Sequence, residues 1–373
     1  MNHRAIFVAA TGQNVGKTTI CLGLIAGLRK RFSSVGFIKP IGQQHVTVYE
    51  GLKVDKDAVL FHEHFSLSTL YEDMSPLIIP PGFTRSFLSG EMDTTKMEER
   101  IVSAFDHVSQ DNQYTIVEGT GHVGVGSIIG LSNAKVASLL GLEMVIIAQG
   151  GLGSAYDELC LNIELCQRYN IPIRGVILNR VIDEKRDMIL NYFPKALARH
   201  GIPLLGCIPY NAFLNTPTME DFENHFNTKM LAGQQYRYRH FRENRLVAGS
   251  LEAFTAEEHP KELIITPASR DDIIRAILSR HNQALQAREN HKVGLLLTGR
   301  QAPNADTLEY IRNSDIPTIY APVCSYTAMK QITSFTAKIR KEDTHKVAAA
   351  ISLVERHIDF ERLCQSEISV VSS

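Results

Sequence analysis

The residues best suited to chemistry lie in Ala5-Ile-Phe-Val-Ala-Ala-Thr-Gly-Gln-Asn-Val-Gly-Lys-Thr-Thr19, an apolar run that enters a glycine-containing turn and leaves it through Gly16, Lys17 and Thr18. A turn of this kind at the start of a helix aims backbone N–H groups and the positive end of the helix dipole at phosphate oxygens. Lys17 would then neutralise the β and γ phosphates of ATP, and the Thr18 hydroxyl would ligate Mg²⁺. Gly12, Gln13, Asn14, Val15, Gly16 and Thr19 complete the cradle. The usual pattern has a glycine five residues before Gly16; Thr11 stands there, and the glycine is displaced to Gly12.

Two further segments supply charge where a phosphate needs partners. Tyr114-Thr-Ile-Val-Glu-Gly-Thr-Gly121 puts Glu118 at the C-terminal end of an expected strand, the edge at which open α/β sheets bind ligands. Glu118 there can hold Mg²⁺ directly or through water, or be a solvated carboxylate at a strand end. The glycines at 119, 121, 124 and 126 permit a mobile loop against the γ-phosphate. In Phe37-Ile-Lys-Pro-Ile-Gly42, Lys39 ends a second expected strand. It can stabilise charge on a transferred phosphoryl group or an activated carboxylate; the plainer alternative is a surface lysine.

The elements that must position these side chains alternate. Apolar, β-branched runs at 5–10, 35–38, 114–117, 144–148, 175–178 and 204–208 read as strands, and helical periodicity covers 18–31, 95–109, 154–169 and 184–200. Nearly all-apolar strands separated by helices predict a mainly parallel, doubly wound sheet covered on both faces. The pattern breaks after Tyr210, and a second series follows: strands 262–266, 293–297 and 316–320, with helices 269–281, 305–313, 325–334 and 343–357. The expected organisation is an α/β nucleotide-binding domain over 1–225, a linker over 226–260 and a smaller α/β domain over 261–373, the tail beyond 368 fraying.

Composition agrees with two domains, because 373 residues exceed the ~250–300 at which a single core stops growing. Thirty-nine Lys and Arg against 40 Asp and Glu leave a net charge of -1, so no global field draws nucleic acid or an anionic membrane, and small molecules are the expected partners. The six cysteines form no CxxC pair, which predicts neither a disulfide framework nor a zinc ribbon and fits a reducing compartment. The apolar run after Met1-Asn2-His3-Arg4 is too short for a signal segment, and no run reaches the ~18 apolar residues of a membrane span, so a cytoplasmic location is expected.

Together, "TGQNVGKT" at 11–18, "KPIGQ" at 39–43, "KDA" at 56–58, "VEGTG" at 117–121 and "ILNR" at 177–180 resemble dethiobiotin synthetase and its P-loop NTPase relatives, over residues 1 to about 225. Residues 245–358, with "ITPASRDDII" ending at Ile274 and "GLLLTG" at 294–299, resemble the DRTGG domain, with Arg300 in place of the closing glycine. The pair in this order resembles the N-terminal region of long bacterial phosphate acetyltransferases and a phosphotransacetylase-like family. No comparable acetyltransferase segment follows, so that activity is not expected. The resemblance implies ATP and Mg²⁺ as cofactors, Thr18, Asp57 and Glu118 around the metal, and Lys17 and Lys39 at the reacting phosphate and substrate. It also implies that Asn179 contacts adenine, that Pro209 lies in the loop lining the purine, and that the protein is a homodimer.

Residues 42–54 match no substrate loop of that family, and "GHVGVGS" replaces its usual continuation, so the acceptor stays unidentified. Two functions are open: an ATPase or ATP-dependent ligase that activates a carboxylate or carbamate, with Lys17, Lys39 and Glu118 as catalytic groups, or a nucleotide-sensing regulatory module. Other features read as structural. The Tyr-Arg-Tyr-Arg-His-Phe-Arg run at 236–242 suits a linker or edge strand better than single-stranded nucleic acid. His62 and His64 are two apart in a helix and point to different faces. Asp271 and Asp272 suit an acidic first helical turn, and His122 is either a phosphate contact or a loop residue.

Overall fold

The computed structural model describes residues 4–257, 261–289 and 292–365. The chain forms two compact units, one of residues up to Asn211 together with those from Ile339 onward, the other Ala212–Lys338.

The first unit is built on β1 (Arg4–Ala10), α1 (Lys17–Leu28), β2 (Val35–Ile38), α2 (Lys56–Phe65), α3 (Thr94–Gln110), β3 (Tyr114–His122), β4 (Met144–Gln149), α4 (Gly153–Arg168), β5 (Ile173–Val181), α5 (Asp183–Leu197) and β6 (Leu204–Pro209). Its main sheet has six strands, all parallel, in the order β6-β5-β4-β1-β3-β2. From β1 the chain proceeds to one side through β2 and β3, then crosses to β4 on the other, so the C-terminal end of β1 lies at the switch point of the sheet. Ile6 to Ala10 and Met144 to Ala148 are buried throughout, as expected where helices cover both faces. The expected strands and helices all occur, and β3 and β5 run several residues longer than their apolar runs.

Between β2 and α3 lies a segment whose anchor is α2. Phe61 of α2 stacks on Phe37 of β2 with centroids 4.0 Å apart and planes 17° apart, a pair worth about 0.5–1.5 kcal/mol beyond the area it buries. Asp55 caps α2 by accepting from the Asp57 N–H, which fixes two carboxylates at the helix start.

The second unit carries β7 (Met230–Ala232), β8 (Glu243–Leu246), β9 (Glu262–Pro267), α6 (Asp271–Gln286), β10 (Gly294–Thr298), α7 (Ala305–Arg312), β11 (Thr318–Ala321) and α8 (Ser325–Thr333). Its sheet runs β7-β11-β10-β9-β8, parallel except for β7, which is antiparallel to β11. Residues 226–260 are therefore not a linker, because they supply both edge strands of this sheet. The alternating aromatics and arginines at 236–242 form a turn: Arg239 lies over the Tyr236 ring at 3.9 Å and donates to the Val293 carbonyl, while Arg237 pairs with Glu223 at 2.7 Å. Asp271 and Asp272 occupy the first turn of α6, as read. The tail beyond Gln365 lies outside the described residues.

After the second unit the chain returns to the first through α9 (Thr344–Glu355) and α10 (Phe360–Cys364), so the helix expected at 343–357 belongs to the first unit. Two glycines one helical turn apart in α1 make the contact. A Cβ on Gly23 would meet Val354 at 2.3 Å, and one on Gly27 would meet Phe360 at 2.1 Å. Lys30–Glu355 at 2.7 Å and Arg31 over the Phe360 ring at 4.5 Å complete it. The helical period of 343–357 was legible; its partner was not, since a small-residue stripe on α1 is invisible to apolar periodicity.

Candidate functional site

β1 runs into the loop that precedes α1, the segment read from the sequence as a phosphate cradle. Asn14 and Gly16 adopt left-handed conformations, with φ 58° and 102°, and Gly16 is the N-cap of α1. Only glycine takes the second of these without strain, and the space is closed as well: a Cβ on Gly16 would stand 2.3 Å from Asn179 Nδ2. Gln13 and Asn14 are exposed at the tip, Val15 is buried, and Gly12, Gly16, Lys17, Thr18 and Thr19 are half-buried.

Register brings the charged groups together. Val8 of β1 lies beside Glu118 of β3, and Ile38 of β2 pairs with Val117, so Lys39, one residue past β2, arrives next to Glu118. Thr18 Oγ1 lies 3.4 Å from Glu118 Oε1. Lys17 Nζ donates to the Gly121 carbonyl at 3.0 Å, at the head of the glycine-rich loop. Lys39 Nζ is 3.5 Å from Glu118 Oε1, 3.2 Å from Asp55 Oδ1 and ion-paired with Asp57 Oδ2.

Burial sets the electrostatics. Lys39 is 7% exposed, Asp55 2% and Glu118 1%. Desolvation pushes the Glu118 carboxyl up to about 7, against the pull of Lys39. Burial works against the Lys39 ammonium, but Asp57, Glu118 and Asp55 outweigh it and hold its pKa well above the usual value. Burial lowers Lys17, which Glu118 only partly offsets, and raises Asp55. Behind the carboxylate, one turn beyond Lys17, the Cys21 thiol is pushed well up by burial and by Glu118.

The residues fit a hard divalent cation. Among the described residues Glu118 Oε2 is buried and accepts no N–H or O–H, the Cys21 thiol lies beside the carboxylate, Oε1 faces the Thr18 hydroxyl, and Thr18, Asp57 and Glu118 all present oxygen. Thr18, Asp57 and Glu118 are thus brought to one place, with Lys39 among them. Asp55 was not singled out in the sequence; an Asp directly before a helical run is a capping signal and would have drawn attention to it.

Asn179 sits on β5 at the cradle's floor, 5% exposed. Its Nδ2 donates to the Val15 carbonyl at 2.7 Å, and its Oδ1 accepts from the Arg180 N–H at 2.9 Å, so the amide braces the loop. Pro209 ends β6, where it pairs with Val181 two residues beyond Asn179. A second brace, Asn133, accepts from the Thr120 N–H at 3.1 Å and donates to the carbonyls of Thr120 and His122 at 2.8 and 2.7 Å. His122 Nδ1 accepts from the Gly124 N–H at 3.1 Å, a contact internal to the loop.

A buried strand delivering Gly16-Lys17-Thr18 at the switch point of a parallel sheet, with Glu118 on the neighbouring strand, defines a P-loop NTPase fold. The chain belongs to the AAA domain family, whose model matches residues 4–218, and a DRTGG domain model matches 221–335. Phosphate acetyltransferase of Pseudomonas aeruginosa is 27% identical over 379 residues, covering 96% of this chain and 51% of that protein. The chain spans about half the length of the phosphate acetyltransferases it matches. ATP-dependent dethiobiotin synthetase BioD of Bacillus subtilis is 28% identical over 240 residues, covering 62% of this chain and 98% of that protein. The MinD cell division protein of Aquifex aeolicus is 16% identical with a TM-score of 0.36, over 59% of this chain and 86% of that one.

Proposed function

We propose that the first unit binds ATP with Mg²⁺ and acts as an ATPase or ATP-dependent ligase that activates a carboxylate or carbamate. The observation that carries this reading is the convergence of Lys17, Thr18, Lys39, Asp57 and Glu118 beside a left-handed Gly16 at a helix N-terminus. In this reading the loop N–H groups and Lys17 hold the triphosphate, and Thr18, Asp57 and Glu118 hold the metal, which neutralises developing phosphate charge. Lys39 faces the acceptor, and Asn179 and Pro209 line the adenine side. Catalysis is alignment and charge stabilisation. The acetyl-transfer activity named for the longer relatives is not part of the proposal. Extended to the whole protein, the reading is of a cytoplasmic homodimer, which light scattering of the purified chain would test.

Calorimetry with Mg·ATP tests the binding step. Lys17→Ala should weaken it by about a hundredfold or more, the value of a charge-assisted contact that is lost while its phosphate stays in place. A wild-type chain that takes up no Mg·ATP at millimolar concentration sinks the reading. Hydrolysis measured with and without diamino acids separates enzyme from sensor, turnover below ~10⁻³ s⁻¹ throughout favouring the sensor.

One observation favours that second reading, a nucleotide-responsive regulatory module. Lys17 is tied to the Gly121 carbonyl, so a triphosphate that recruits the lysine must release the head of the glycine-rich loop. Binding and loop rearrangement are then coupled whether or not the phosphate is cleaved.

A further inference from the structure

Three carboxylates, Asp55, Asp57 and Glu118, surround one ammonium group, Lys39 Nζ. Lys39 and Glu118 are almost wholly buried, and Glu118 Oε2 accepts no N–H or O–H among the described residues, with the Cys21 thiol the group beside the carboxylate. The group is poorly satisfied as a purely structural ion pair, because a well-packed buried pair uses the lone pairs of both carboxylate oxygens. Its arrangement is that of a polyvalent anionic pocket in which Lys39 pairs directly with the carboxylates, while Lys17 acts on Glu118 through its charge. The Thr18 hydroxyl, 3.4 Å from Glu118 Oε1, adds a neutral oxygen.

We propose that Lys39 is an internal counter-ion that stands in for the divalent cation in the nucleotide-free chain, and that lysine and metal exchange on Asp57 and Glu118 when the nucleotide brings the metal in. Asp55 is the retaining arm: it caps α2 through the Asp57 N–H and pairs with Lys39 Nζ at 3.2 Å, so it keeps Lys39 beside the site after the exchange. The consequence is ordered loading. Metal alone is excluded by the ammonium, and only a metal already neutralised in part by a triphosphate can enter, since the phosphates then offer Lys39 and Lys17 new partners. This inference rests on the ATP-binding reading for its second half, the entry of the metal with nucleotide, but not for its first, the exclusion of free metal.

The test is Mn²⁺ alone, followed by calorimetry and by the paramagnetic resonance signal of free Mn²⁺, on the full chain without nucleotide. Wild type should show no Mn²⁺ uptake at millimolar concentration. Lys39→Gln, which removes the charge and keeps a hydrogen-bond donor, should bind Mn²⁺ about tenfold tighter or more, and Lys39→Gln/Asp57→Asn should lose that gain. Lys39→Ala takes away the cation that pairs with buried Asp55 and Glu118 and half-buried Asp57, so it should be stabilised by Mn²⁺ in thermal unfolding where wild type is not. Wild type that binds free Mn²⁺ as well as Lys39→Gln does, or a folded Lys39→Gln with no gain, overturns the exchange. A separate titration of wild type with Mg·ATP reports on the nucleotide reading: uptake of Mg·ATP with no gain in Lys39→Gln rejects the exchange and leaves that reading intact.

Discussion

Gly16 concentrates two constraints in one residue. Its φ of 102° excludes a side chain on conformational grounds, and Asn179 Nδ2 occupies the space on steric grounds. Gly16→Ala should therefore push the cradle off Asn179, weakening Mg·ATP binding by about tenfold or more while thermal unfolding shifts by only a few degrees. Equal affinity in the variant would show that the loop tolerates displacement and that Asn179 is not its brace. The hydrogen bond from Asn179 to Val15 also explains why an asparagine suits this position even before a purine is considered: its amide supplies a donor and an acceptor to two backbones at once.

At the scale of elements, the helix that presents Lys17 and Thr18 is held from behind by α9 and α10. Gly23 and Gly27 let Val354 and Phe360 approach α1 at distances that leave no room for a methyl group. Gly23→Leu or Gly27→Leu must force the closing helices away, and overpacking of this kind costs about 1–3 kcal/mol or more. Urea unfolding should report that loss, with nucleotide affinity falling in step because the N-terminus of α1 moves with its axis. Unchanged stability would mean that the closing helices are loosely held. The stack of Phe37 on Phe61 plays the corresponding part for α2, fixing the start of the helix from which Asp55 and Asp57 reach Lys39.

For the whole molecule, the chain leaves the first unit at Asn211 and re-enters it at Ile339, so that unit is completed only after the second has been made. A chain ended after Lys338 should expose the α1 face that Val354 and Phe360 cover. We expect it to bind a hydrophobic dye, unfold at lower temperature and lose Mg·ATP binding, although every residue of the cradle is present. Retention of wild-type affinity would show that α9 and α10 are dispensable.

What the residues determined by themselves was local chemistry and alternation: a glycine-lysine-threonine turn after a buried run, an acidic residue in an apolar strand, which the structure places inside Tyr114–His122 and not at its end, and the strand-helix order of a doubly wound sheet. Those follow from backbone sterics, dipoles and burial periods, which act over a few residues. Tertiary structure alone decided three things. It placed Lys39 beside Glu118 through the β2–β3 register, drew Asp55 into the same cluster through the cap of α2, and sent 344–364 back to α1. Each depends on which surfaces meet across long stretches of chain, and pairing over such distances is settled by packing complementarity, which no short window of sequence contains.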